Sequence, residues 1–125
     1  MTRRPTPKPK TALQLAGAEA EQVAADLLVL KGYQILQRNY RAGRHEIDLI
    51  ATLGQLVVFI EVKYRADNGL GYPEEMVSQT QIRSVHKAAL VYLDSVAHIG
   101  PVRYDIIAIT GYDLAQTIVH LEDAF

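Results

Sequence analysis

Two carboxylates and a lysine stand in the most apolar part of this chain. Asp48 interrupts the run Ile47-Asp48-Leu49-Ile50-Ala51, and Glu61 and Lys63 close the run Leu56-Val57-Val58-Phe59-Ile60-Glu61-Val62-Lys63. Ionised carboxylates in such surroundings repel one another and lose hydration, so they persist only where something compensates. A structural ion pair among Asp48, Glu61 and Lys63 is one compensation. A divalent cation is the better match, because Mg²⁺ or Mn²⁺ takes hard oxygen ligands, few of them from protein, and keeps several waters. A lysine beside such a site can lower the pKa of an attacking water or stabilise charge developing on a phosphoryl oxygen. That chemistry is phosphodiester hydrolysis. An Asp followed at a loose distance by acid-x-Lys arises by chance about 0.4 times in a chain of this length, so location carries the weight. The chain's only acid-x-Lys triplet ends its most apolar segment.

The elements that must hold these groups can be read from periodicity. Thr11-Ala12-Leu13-Gln14 fits a capping box, and Leu13, Ala16, Ala20, Val23, Ala24 and Leu27 recur at helical spacing until Gly32, which predicts a first helix over 12–31. Glu19 and Glu21 flank that stripe on opposite sides. Strands are expected over 33–40, 45–52 and 55–64, the third apolar on both faces and therefore central. Ala66 to Pro73 reads as a loop with Gly69 and Gly71 in it. Ser78-Gln79-Thr80-Gln81 opens a second helix with a stripe of Ile82, Val85, Ala89, Tyr92 and Val96, and Gly100-Pro101 ends that region. A strand over 102–110, a turn at Gly111-Tyr112-Asp113 and an edge strand over 116–121 complete the order α-β-β-β-α-β-β. A strand hairpin followed by helix and strand predicts a mixed sheet flanked by helices, since the helix supplies a parallel crossover.

Strand alternation puts Glu61 and Lys63 on one face and Val58, Ile60 and Val62 on the other. With Leu53-Gly54 at the centre of a two-residue turn, Thr52 pairs with Gln55, Asp48 with Phe59 and Glu46 with Glu61, leaving Asp48 diagonal to Glu61. A longer loop with Gly54 in the left-handed region is the alternative. A one-residue slip would turn Asp48 to the opposite face.

At 125 residues, 49% hydrophobic and 22% charged, the chain suits one domain with a core of its own, expected over 11–125. The absence of cysteine excludes thiolate zinc sites, disulfides and thiol nucleophiles, so any metal is held by oxygen or imidazole. No apolar run reaches the roughly 18 residues that cross a bilayer, and no secretory signal is recognisable, so the expectation is a cytoplasmic protein without membrane contact. Arg3, Arg4, Lys8 and Lys10, interleaved with Pro5, Pro7 and Pro9, make residues 1–10 a basic tail read as disordered. It would either add weak phosphate affinity or serve only solubility. The net charge of -1 becomes -5 without that tail, so nucleic-acid binding would need a local groove.

These residues resemble the PD-(D/E)xK nuclease core, with Asp48 as its aspartate and Glu61-Val62-Lys63 as its second half. More closely, the chain resembles the bacterial YraN family, also called UPF0102, whose fold is akin to archaeal Holliday-junction resolvases. The match runs from about Gly17 to Ile109. It takes in Gly17, Glu21 and Ala24, then Gly32-Tyr33, Ile35-Leu36 and Arg38-Asn39-Tyr40-Arg41. Glu46 to Ala51, Val58 to Arg65, Ala88-Ala89 with Tyr92-Leu93, and Arg103 to Ile109 follow.

The resemblance implies an α/β fold with a restriction-endonuclease-like α-β-β-β-α-β core and metal binding by Asp48 and Glu61. It also implies a third ligand from the Val62 carbonyl, a catalytic role for Lys63 and a first-helix glutamate at the position of Glu21. The implied cofactor is Mg²⁺ or Mn²⁺, and the implied substrate is nucleic acid, DNA ahead of RNA, in repair or recombination. A homodimer is implied by analogy with resolvases. His45 departs from the family's usual Gly and is read first as a solvent-exposed histidine at the start of a strand, second as an extra ligand or proton carrier. Gln81 departs from a common lysine and is read first as a capping residue, second as a contact to the site or to a phosphate. Glu46 is expected either to support the site from behind its ligands or to pair with Arg41, Arg44 or Arg65, and Arg103 and Asp105 to form an ion pair first and to support the site second. Arg38, Arg41, Arg44 and Arg65 are expected to line a phosphate groove. The rival reading is a catalytically inactive nucleic-acid-binding or protein-interaction module that keeps the nuclease fold.

Overall fold

The structure, a computed structural model, describes residues 12–65, 77–111 and 116–125. The expected tail over 1–10, the loop at Ala66–Pro73 and most of the turn at 111–113 lie outside them. The first helix, α1, spans Ala12–Leu30. Ala20, Ala24, Ala25 and Leu28 are its buried face, and the three alanines let its backbone approach the sheet closely. Gly32, at φ 95°, ends it: the Gly32 N–H donates to the Val29 carbonyl and the Tyr33 N–H to the Leu28 carbonyl at 3.0 and 2.9 Å, a Schellman closure that favours glycine.

Strands β1 (Gln34–Ala42), β2 (His45–Leu53) and β3 (Leu56–Arg65) follow, then helix α2 (Gln79–Ser95) and strands β4 (Val102–Thr110) and β5 (Thr117–Leu121). The five strands lie in one sheet in chain order. β1 to β3 form an antiparallel meander, β3 and β4 run parallel across the α2 crossover, and β5 returns antiparallel at the edge. This is the expected α-β-β-β-α-β core in a mixed sheet. α1 covers one face, packing on Leu49, Val58, Ile60, Ile107 and Ile109. α2 covers the other, with Val85, Ala88, Ala89 and Tyr92 on Ile47, Ile50, Val57 and Phe59. Val96, expected in the apolar stripe of α2, is instead its half-exposed C-cap. Among the described residues no helix is long and apolar enough to cross a membrane.

The β2–β3 turn is centred one residue later than expected. Leu53 pairs with Leu56 and Thr52 with Val57, and Ile50 rather than Asp48 faces Phe59. Gly54 takes the first central position at φ 60°, the place a two-residue hairpin reserves for glycine, which relieves Leu53 of a left-handed conformation. Moving the turn centre by one residue shifts each partner by two, so no side chain changes face.

A second irregularity does redirect side chains. Asn39, in β1, has φ 50°. Arg38 before it reaches Gln22 of α1 at 2.9 Å, whereas Tyr40 after it packs edge-on against Tyr92 of α2. Regular alternation would send both the same way. The partners follow suit: Ile47, opposite Tyr40, joins the α2-side core, and Leu49, opposite Arg38, joins the α1-side core. Asp48 sits at the switch.

Candidate active site

The β2–β3 ladder ends at Leu49 opposite Ile60, one position short of Asp48 and Glu61. There the Val62 N–H donates to Asp48 Oδ2 at 2.8 Å, so a carboxylate closes the widening gap between the strands and is itself aimed by a fixed backbone donor. Asp48 and Glu61 also share a side-chain hydrogen bond. Lys63 Nζ stands 3.9 Å from Glu61 Oε1.

Because Asp48 lies between the two faces, it opens onto a pocket on each side. Towards α1, Glu21, Asp48, Glu61, Val62 and Lys63 line a cavity of about 290 Å³ together with Gly17, Ala20 and Tyr64. Towards α2, Asp48 and Glu61 meet Arg44, Glu46, Gln81 and Ser84. Every residue assigned to the site from sequence is thus brought to one place.

Electrostatics single out the carboxyl pair. Burial pushes Glu61 up to about 9, with the neighbouring Asp48 charge and the shared hydrogen bond acting the same way and Lys63 opposing them. The Glu61 side chain is only 10% exposed, so the pair resists carrying two negative charges at once. Glu21 is also raised, first by burial and then by Asp48, with a hydrogen bond to Asn39 and the Arg38 charge pulling it back. Asp48 thus acts on Glu21 as well as on Glu61. Glu19 is exposed, so the choice between the two helix glutamates falls on Glu21.

Among the described residues no three His, Asp or Glu side chains form a ready metal cage. Two hydrogen-bonded carboxyls with Lys63 alongside are nonetheless a donor set that fits a hard divalent cation, which needs few protein ligands and fills the rest with water. Such an ion would offset the repulsion and burial that now raise Glu61.

Other expectations were redirected. His45 is half-buried, and its Nδ1 lies 3.0 Å from Ser84 Oγ of α2, so it fastens β2 to the helix rather than facing solvent. Gln81 does cap α2: its side chain accepts from the Ser78 N–H at 3.0 Å while its own N–H donates to Ser78 Oγ at 3.1 Å. That same residue lines the carboxylate pocket. Glu46 pairs with Arg41 at 3.7 Å. Of the four arginines expected to line one groove, Arg38 stands on the α1 side while Arg44 opens towards α2, a divergence that follows from the switch at Asn39.

Arg103 and Asp105 pair as expected, with Nε donating to Oδ1 and Nη2 to Oδ2, both at 2.8 Å. Sequence reasoning missed their third member. His120 Nε2 lies 2.7 Å from Asp105 Oδ2, and Lys31 Nζ lies 2.9 Å from His120 Nδ1. Asp105 can only accept and Lys31 can only donate, which puts the ring proton on Nε2. The Arg103 guanidinium also donates to the Tyr33 hydroxyl at 2.6 Å. Asn39 was missed too, although an asparagine in a strand pattern is a recognisable sign of a left-handed residue.

A sequence profile for the uncharacterised protein family UPF0102 matches residues 20–109, the span that carries Glu21, Asp48, Glu61 and Lys63. The chain belongs to that family. A UPF0102 protein of Cytophaga hutchinsonii is 43% identical over 107 residues, covering 86% of this chain and 92% of that relative. A UPF0102 protein of Thermodesulfovibrio yellowstonii is 42% identical over 109 residues, covering 87% and 94%. Among solved structures, Pyrococcus furiosus SfsA in complex with Ca²⁺ aligns with a TM-score of 0.41 at 17% identity, over 88% of this chain and 63% of that one. A likeness this distant carries no argument about function.

Proposed function

We propose that the protein is a metal-dependent nuclease that hydrolyses nucleic-acid phosphodiester bonds. The observation that carries this reading is the hydrogen-bonded Asp48–Glu61 pair at the frayed end of the β2–β3 ladder, with Glu61 buried, Asp48 half-buried and Lys63 3.9 Å from Glu61. A fold gains no stability from two adjacent carboxyls in such a place, so their use lies elsewhere. Asp48 and Glu61, with the Val62 carbonyl, would hold Mg²⁺ or Mn²⁺. When bound, the ion would supply Lewis-acid activation of water and charge neutralisation at the phosphoryl group. The Val62 N–H keeps the Asp48 carboxylate oriented. Lys63 presents an ammonium to charge developing on a phosphoryl oxygen. Glu21, which lines the same cavity, would orient the attacking water. DNA ahead of RNA, and a homodimer acting on it, are supported by the resemblance to resolvases alone.

The test is cleavage of labelled duplex, branched and single-stranded DNA and of RNA, with and without Mg²⁺ or Mn²⁺. Cleavage by the wild type that is lost in Asp48→Ala and Lys63→Ala is the expected result. Equal cleavage by all three proteins would mark a contaminant and remove the mechanism. No cleavage of any substrate, with nucleic-acid binding intact, would leave the binding-module reading.

A further inference from the structure

Next to the carboxylate pocket lies a second cavity of a different character, about 390 Å³ in volume and lined by Arg44, His45, Thr80, Arg83, Ser84 and Lys87. It contains three cationic side chains, two hydroxyls, an imidazole and no acid. Among the described residues no ion pair engages Arg44, Arg83 or Lys87. Two elements build it, the start of β2 and the first turns of α2. They are held in fixed relation by the His45–Ser84 hydrogen bond and by α2 packing on Ile47 and Ile50. Arg83 and Lys87, four residues apart on the helix, project together. Arg44 and Ser84 line both this cavity and the acidic one.

We infer that this cavity seats a backbone phosphate of the nucleic acid adjacent to the phosphate presented to Asp48 and Glu61, a deepening that rests on the nuclease reading. An acidic pocket sharing two side chains with an acid-free cationic one is the charge pattern a polyanion needs. The strand is held by its charge on one side of the site while a scissile group faces carboxylates on the other. Arg44, which lines both cavities, would be shared between the two phosphates. The molecule's net charge of -1 means that bulk attraction does not supply the binding, so the loss of a local anchor should be visible.

The experiment is fluorescence anisotropy of a short labelled DNA duplex in EDTA, at a series of salt concentrations, so that neither metal nor cleavage enters. Arg83→Ala with Lys87→Ala should weaken binding and reduce the slope of log affinity against log salt by ~0.9 for the pair, the value for one phosphate contact. Lys31→Ala, outside both pockets, should leave the slope unchanged. An unchanged slope in the double variant, an equal fall in Lys31→Ala, or no salt-dependent binding by the wild type would overturn the inference. Inorganic phosphate displacing the duplex at concentrations matching the duplex's own phosphates would mark a small-anion site and overturn it too. Loss of cleavage in the Asp48 variants is read separately with metal present, so the nuclease reading and the phosphate seat can fail independently.

Discussion

At the scale of single residues, Asp48 has two functions that substitution can separate. Its Oδ2 accepts the Val62 N–H at 2.8 Å, and its charge raises both Glu61 and Glu21. Asparagine keeps an acceptor and removes the charge, whereas alanine removes both. Asp48→Asn is therefore expected to be at least as stable as the wild type, and Asp48→Ala to be less stable than Asp48→Asn by about 1–3 kcal/mol for the orphaned amide. Both should lose activity, and urea unfolding alongside a cleavage assay checks the pair. Asp105 behaves in the opposite sense. Burial alone would raise it, yet hydrogen bonds from His120, Arg103 and the Asp123 N–H, with the Arg103 charge, prevail and hold it below 3.8. A carboxylate depressed in the folded state contributes stability that is complete above its unfolded pKa and fades as pH falls through the folded one. Asp105→Asn, which removes the nearer of Arg103's two carboxylate partners and leaves Glu122 at 3.7 Å, should cost about 1–3 kcal/mol at neutral pH. The gap between variant and wild type should narrow in acid, which denaturation at both pH values would measure.

At the scale of elements, the helix ends were legible because their chemistry is local. Ser78 and Gln81 close a reciprocal capping box, and Gly32 closes α1 as its position in the pattern implies. Ser78→Ala should cost about 1 kcal/mol, seen as a fall of ~3 °C in melting temperature. It should also weaken duplex binding, since α2 carries Arg83, Ser84 and Lys87. The hairpin register was less legible. Leucine at a left-handed position was the warning, and moving the turn to Gly54-Gln55 resolves it without exchanging faces. Nothing in the alternation of β1 and β2 announced that both strands change face at Asn39 and Asp48. That switch depends on one backbone angle, φ 50° at Asn39, with a helix packed on each face of the sheet. It is also what lets Asp48 serve both pockets and what parts Arg38 from Arg44. His120 escaped notice for a related reason: its partner Asp105 is close only once β5 has paired with β4.

At the scale of the whole molecule, element order and sheet class followed from periodicity, since a helix between two apolar strands leaves a parallel crossover as the economical connection. The energetic tension between the two ends of β3 was legible too, in the carboxylates that close its apolar run. Its first half buries Val57, Val58, Phe59 and Ile60, and its second half sets Glu61, raised by burial and by the Asp48 charge, beside Asp48. A ligand that binds only the folded state stabilises it by mass action, and at about a hundred times its dissociation constant the gain is ~2.7 kcal/mol. If Asp48 and Glu61 bind a divalent cation, saturating Mn²⁺ or Mg²⁺ should raise the melting temperature of the wild type by several degrees. Glu61→Gln, which imitates the protonated side chain, should melt near the metal-free wild type and gain nothing from either ion. Lys63→Ala should still respond, and more strongly, because a competing positive charge has been removed while both carboxyls remain. An equal rise in all three proteins would assign the effect to ions bound elsewhere on the surface, and the carboxyl pair would then have to be explained without a metal.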